Sequence, residues 1–255
     1  MAIKSLMDYT FVSKYARWIQ EKSRRETWRE SVDRVTGMMR EQYPDVKDDI
    51  TWAYNMMYKK QVLGSQRALQ FGGKPILKHN ARMYNCIASY IDRVRFFQEC
   101  MYLLLCGCGT GFSVQQHHID GLPNLVKEKT GTKKFVIPDS IEGWSDAVGV
   151  LVSSYFQQKD VVMHSADAVI SGGVRRSATI CLFSPEDEEM AKAKTGNWFH
   201  ENPQRGRSNN SALLLRDETS KIQFSKLMQS VREFGEPGFV WSDSTELIVN
   251  PCVEI

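Results

Sequence analysis

Strand-length apolar runs alternate with helical stripes along most of this chain. Met83 to Ala88 is short and reads as extended, and Val94, Phe97, Met101, Leu104 and Leu105 then share one helical face. Phe112-Ser113-Val114 reads as a buried strand, and Trp144, Val148, Leu151, Val152 and Tyr155 restore a helical stripe. A short helix around Val162 to Ile170 precedes the apolar run Ile180 to Phe183. Ser184-Pro185-Glu186-Asp187 then supplies an N-cap, a first-turn proline and early acids. Ser211 to Leu215, a helix through Phe224, Leu227, Met228 and Val231 closed by Gly235, and Phe239 to Trp241 complete the series. Strands separated by helices need crossover connections, so the expected fold is α/β with a largely parallel sheet.

The first 62 residues differ. Phe11, Tyr15, Trp18 and Ile19 fall on one helical face, as do Trp28, Val32, Val35 and Met39. Thr27 followed by Glu30 is a capping-box signature. The predicted organisation is a helical N-terminal region over 1–62 and an α/β region over 63–255. Residues 1–60 hold 12 Lys/Arg against 9 Asp/Glu and the remainder 21 against 21, so the net charge of +3 lies at the N-terminal end. Both signs interleave there, as in Glu21-Lys22-Ser23-Arg24-Arg25-Glu26, which indicates a solvated helix face rather than a nucleic-acid patch.

Composition narrows the class. With 42% hydrophobic and 25% charged residues, a disordered or fibrous chain is excluded. Met101 to Cys106 is far shorter than the roughly 20 apolar residues of a membrane helix. The sequence MAIKSLMDYT has no signal-peptide character, and six unevenly spaced cysteines do not form a secreted disulfide framework. A reduced, cytoplasmic protein without membrane or direct nucleic-acid partners is expected.

The chemistry concentrates in a few segments. In an extended Asn250-Pro251-Cys252-Val253-Glu254-Ile255, alternate residues would present an amide, a thiol and a carboxylate on one side. Such a set can hold a hydroxyl, take its proton and act on the neighbouring carbon through sulfur. On spacing alone, an exposed tail with an incidental cysteine remains the simpler account. Gly107, Gly109 and Gly111, at every other position, permit unusual torsions or a close approach. Gly172-Gly173-Val174-Arg175-Arg176 combines a permissive backbone with two guanidinium groups suited to phosphate or base edges. Cys100, Cys106 and Cys108 lack a zinc spacing, so no metal site is expected. Cys181 reads as core, His117 and His118 read as surface residues, and no Ser/His/Asp set is evident.

Met83-Tyr84-Asn85-Cys86, Cys108-Gly109-Thr110-Gly111-Phe112-Ser113, Ser171-Gly172-Gly173-Val174-Arg175-Arg176-Ser177-Ala178 and the 250–255 segment stand in one order along the chain. Together they resemble the catalytic chain of ribonucleotide reductases, over roughly Arg67 to Ile255. Ile137-Pro138-Asp139-Ser140-Ile141-Glu142-Gly143-Trp144 and Ser208-Asn209-Asn210-Ser211-Ala212 are most similar to the adenosylcobalamin-dependent (class II) ribonucleoside-triphosphate reductases. The resemblance implies a helical N-terminal layer followed by about half of a ten-stranded α/β barrel ending at the radical-cysteine loop. It implies a thiyl radical at Cys252 that abstracts the ribose 3′ hydrogen. Glu254 would take the 3′-hydroxyl proton, Asn250 would hydrogen-bond the ribose, and Cys86 would be half of the reducing dithiol. Asn85, Gly109 and Gly111 would line the substrate, and Asp92, Gly172, Gly173, Arg175 and Arg176 would form the effector site and specificity loop. The implied partners are a ribonucleotide substrate, a deoxynucleotide effector, adenosylcobalamin and a thioredoxin-like dithiol system.

Two departures qualify this. The partner cysteine of Cys86, the substrate-phosphate loop and most of the cobalamin surface would lie beyond Ile255, so a C-terminal complementing fragment is expected. Gln157-Gln158-Lys159-Asp160 also joins two segments that the family separates by several tens of residues, at the cost of one strand and an effector loop. No ATP-binding cone of the family's kind, and no overall activity switch of that kind, is expected. The alternative is a non-catalytic nucleotide-binding or assembly fragment of a split reductase, which would bind effector without forming a radical.

Overall fold

The computed structural model describes residues 2–124, 135–154 and 178–252. The chain divides into two units, Met1–Asn85 and Cys86–Ile255. Residues 63–85, grouped from sequence with the α/β region, belong to the first unit by packing: Ala68 and Leu69 bury against Val35 there.

The first unit is helical. It holds helices α1 (Ala2–Lys14), α2 (Trp28–Gln42), α3 (Lys47–Tyr58), α4 (Gln66–Phe71) and α5 (Lys74–Lys78), and between α1 and α2 a small ribbon in which β1 (Trp18–Ile19) pairs antiparallel with β2 (Arg24–Arg25). Trp18 and Ile19, expected on a helix, therefore lie in a strand; α1 stops at Lys14, before them. The capping box at α2 forms as expected: Thr27 accepts from Glu30 N–H, and the Glu30 carboxylate accepts from Thr27 N–H. Glu26 and Arg34 form a buried ion pair at 2.7 Å, and Arg34 also donates to the carbonyls of Leu69 and Gly72. Burial alone would push the Glu26 carboxyl up, but bonds from Arg34, Ser31 and the Arg17 N–H hold it below the usual carboxylate range.

The second unit is built on five parallel strands that hydrogen-bond in the order they occur: β3 (Cys86–Tyr90), β4 (Gly109–Ser113), β5 (Thr179–Phe183), β6 (Ser208–Leu215) and β7 (Gly238–Ser242). β4 and β5 are buried along their whole length, as a parallel sheet covered on both faces requires. Helix α6 (Arg95–Leu105) returns the chain from β3 to β4 and packs against α8 (Ile141–Ser154), where Ser145 Oγ donates to Gln98 O at 2.7 Å. The short α7 (Gln116–Ile119) follows β4. Between β5 and β6 lie the short α9 (Glu188–Ala191) and α10 (Trp198–Glu201) and a 3-10 turn at Pro203–Arg207, and α11 (Lys221–Phe234) connects β6 to β7. Asp187, not Ser184, caps α9 by accepting from Met190 N–H, because Ser184 to Glu186 are spent in a turn. Gly235 closes α11 in the left-handed conformation, at φ 76°.

Alternation divides each strand between two faces. Phe112, Cys181, Phe183, Ala212 and Leu214 project to one of them. With Phe96, Phe97, Met101 and Leu104 of α6, Val152 of α8 and Leu227 of α11 they form the main core. Gly109, Gly111 and Ser113 project to the other face, in register with Cys86, Ala88 and Tyr90. No helix among the described residues is long and apolar enough to cross a membrane.

Candidate functional site

The site lies on that second face. After β7 the chain turns through Ser242, Ser244 and Glu246, where Ser244 N–H donates to Ser242 Oγ and Glu246 N–H to Ser244 Oγ. It is then held at the C-terminal ends of β3 and β4. Tyr90 Oη donates to Glu246 O at 2.7 Å, and Gln115 Nε2 donates to Thr245 O at 2.8 Å. From there it runs back along β4: a Cβ added at Gly111 would collide with the Val249 carbonyl and lie 3.2 Å from Asn250 Cα. At Gly109 an added Cβ would lie 2.8 Å from Pro251 Cγ and 3.2 Å from Cys86 Sγ. The alternate glycines are thus a track for the returning segment, a close approach that side chains would block. Both positions were expected to line a substrate; what they touch is the chain's own 249–252 segment.

This track brings together two thiols 166 residues apart: Cys86 Sγ and Cys252 Sγ lie 3.2 Å from each other. That separation is a sulfur hydrogen bond, longer by more than an ångström than a disulfide of about 2.05 Å. Cys252 is exposed and Cys86 half-buried. The other cysteines are buried. Burial pushes the Cys100 thiol up to about 12, a shift its contact with Thr110 Oγ1 only partly offsets. An accessible thiol pair therefore stands on one face of the sheet and inert core thiols on the other.

The 250–252 segment is not extended. Asn250 Oδ1 accepts from Cys252 N–H at 2.9 Å, closing a side-chain turn around Pro251. Alternate projection of residues 250 and 252, the geometric basis read from sequence, is replaced by an amide that fixes the thiol's backbone. Glu254, Gly172, Gly173, Arg175, Arg176 and the join at 157–160 lie outside the described residues. Asn85, in the first unit, accepts from Arg67 Nε at 2.7 Å. Asp92 is exposed and accepts from Arg93 Nη1 at 2.7 Å.

A second cluster was not foreseen. His118 is buried, not a surface residue: its Nδ1 lies 3.0 Å from Ser113 Oγ and its Nε2 3.5 Å from Glu246 Oε2. His117 Nε2 lies 3.1 Å from Glu246 Oε1. The His118 ring packs 4.1 Å from that of Tyr90. Burial, then the neighbouring His117 charge, holds the His118 imidazole below its usual value, against the pull of Glu246 and Asp92. A Ser–His–Glu contact chain thus exists where sequence gave no Ser/His/Asp set. Ser113 and Glu246 are far apart in sequence, and only the His-His doublet marked the place.

No family model matches the chain. The fold is that of a class II reductase barrel, of which this chain spans about half. It superposes on a solved structure titled as a B12-dependent (class II) ribonucleotide reductase with a TM-score of 0.70 at 19% identity, covering 93% of this chain and 49% of that one. In sequence it is similar to a Dictyostelium discoideum protein described as a probable adenosylcobalamin-dependent ribonucleoside-triphosphate reductase. The two are 24% identical over 43% of this chain and 21% of that protein. Both neighbours carry the name of the group that the motifs resemble.

Proposed function

We propose that this chain provides the first half of a B12-dependent ribonucleotide reductase. It would carry the radical cysteine and one reducing cysteine for conversion of ribonucleotides, as triphosphates, to deoxyribonucleotides. The observation that carries the reading is the Cys86–Cys252 pair, held at 3.2 Å over a glycine track on a barrel-type sheet.

The exposed Cys252 thiol fits a radical source that approaches from solvent, and adenosylcobalamin, when bound, would supply the unpaired electron there. The chain's own residues then have separable tasks. Cys252 Sγ takes the hydrogen atom from ribose C3′. Glu254 accepts the 3′-hydroxyl proton. Asn250 orients the ribose and, through its bond to Cys252 N–H, the thiol itself. Cys86, adjacent to Cys252, gives up reducing equivalents as half of a dithiol restored by a thioredoxin-like donor. Gly109 and Gly111 carry the 249–252 segment that presents Cys252 to the substrate. Asp92 and the loop with Gly172, Gly173, Arg175 and Arg176 receive a deoxynucleotide effector. β3 and β7 each pair on one side only among the described strands, so a complementing segment has two edges to join.

The test is turnover of CTP and ATP with adenosylcobalamin and a dithiol, by this chain alone and with a C-terminal complement from a homologous reductase. Deoxynucleotide is expected only with the complement, and none with Cys252→Ser. Full activity of the serine variant would refute the radical role. Repeated turnover by the isolated chain would refute the need for a complement. A chain that binds deoxynucleotide effector yet never turns over, complemented or not, would instead be the assembly fragment.

A further inference from the structure

The His117–His118–Glu246 cluster is a better-built site than a latch of two hydrogen bonds requires. One ligand atom from each of the two imidazoles and the carboxylate lies within 4.8 Å of the others. Each carboxylate oxygen faces a different ring, at 3.1 Å and 3.5 Å. An ion held tetrahedrally at about 2.0–2.1 Å from its ligands requires ligand atoms separated by about 3.3 Å, and the two nitrogen–oxygen contacts, one to each carboxylate oxygen, lie near that length. The donor set, two imidazoles and one carboxylate, is one that divalent zinc-like ions take while keeping a position for water.

The surroundings position those donors in advance. The other nitrogen of His118 meets Ser113 Oγ, a fully buried hydroxyl, and such outer hydrogen bonds orient metal-binding imidazoles. Gln115, also buried, donates to Ser113 Oγ at 3.0 Å and with the same amide to Thr245 O. Tyr90 packs on the His118 ring and donates to the Glu246 carbonyl, so the backbone carrying the carboxylate is fixed as well. His117 and Glu246 are exposed, which leaves the cluster open to an ion from solvent.

From this geometry we infer that His117, His118 and Glu246 form a binding site for one divalent transition-metal ion of the zinc type. The ion ties the 245–252 segment to the end of β4 and so fixes the track that delivers Cys252 to Cys86. The inference stands apart from the proposed reductase chemistry, because binding is read without turnover.

The experiment is titration of the metal-free chain with Co²⁺ and Zn²⁺, followed by visible absorption and calorimetry. One ion per chain is expected, with ligand-field bands of a nitrogen–oxygen site and no thiolate charge-transfer band. His117→Ala and Glu246→Gln, both at exposed positions, should each weaken binding by at least about tenfold. The double variant Cys86→Ser/Cys252→Ser should bind as the parent does. Absence of saturable binding, binding indifferent to His117→Ala and Glu246→Gln, or binding lost with the two cysteines would each overturn the assignment. Oxidative cross-linking of Cys86 to Cys252 by a diazene oxidant supplies an independent readout. It should change on adding Zn²⁺ to the parent and not to Glu246→Gln, and equal responses would remove the coupling of the ion to the track.

Discussion

The two faces of the five-stranded sheet are written in the same strands at alternate residues, yet they follow different rules. On the helix-covered face Phe112, Cys181, Phe183, Ala212 and Leu214 fill space against α6, α8 and α11. Their identities answer to volume and hydrophobicity. On the other face Gly109 and Gly111 hold space open, and the chain's own 249–252 segment occupies it. Ser113, one step along, is polar and buried and holds His118. Packing tolerates similar residues, whereas a backbone lying directly on a strand tolerates nothing larger than hydrogen. The chemistry sits where the sheet omits side chains.

That contrast can be broken from either side. The largest effect expected is from Phe183→Ala on the covered face. Phe183 is fully buried, and truncation should cost about 3–5 kcal/mol in the denaturant-unfolding midpoint of the second unit. The proximity of Cys86 to Cys252 should survive in whatever fraction remains folded. Gly111→Ala reverses the pattern: the new methyl meets the Val249 carbonyl, so the segment must lift. Stability should fall by only about 1–3 kcal/mol, while the rate of Cys86–Cys252 cross-linking under mild oxidation drops by roughly tenfold or more. Unchanged cross-linking in this variant would mean that the segment does not lie on β4. Gly37→Ala in α2, where an added Cβ meets nothing and the backbone is helical, is the control for substitution in open space.

The smallest effect concerns pH. Burial and the charge of His117 disfavour the His118 imidazolium in the folded protein, while Glu246 and Asp92 oppose them in part. Below about pH 6.5 the unfolded chain takes up a proton that the folded chain resists. Stability is therefore fully present above that value and declines as the pH is lowered through it. His118→Gln should flatten this slope in pH-dependent unfolding, and an undiminished slope would place its origin elsewhere.

Much of the scaffold was legible because its signals are local. The capping box at Thr27 and Glu30, the stop at Gly235 and the five strand runs each depend on residues a few positions apart. The failures were of two kinds. Trp18 and Ile19 continue a helical period, but α1 ends before them and a two-residue ribbon takes them. His118 looked like a surface residue because Ser113 and Glu246, the groups that bury and bind it, become neighbours only when the segment after β7 recrosses β4. The glycine spacing announced a close approach without naming the visitor, and Asn250 was read as a ligand for sugar without the local turn it makes.

The separation of the paired sulfurs by 166 positions also sets an order of events during synthesis. At about 5–20 residues per second, Cys86 leaves the ribosome roughly ten to thirty seconds before Cys252. The intervening strands have time to assemble, and closing so long a loop is favourable only once they have. A nascent chain therefore carries no reactive thiol couple. Its two halves meet as a late event of folding, after the support they rest on already exists.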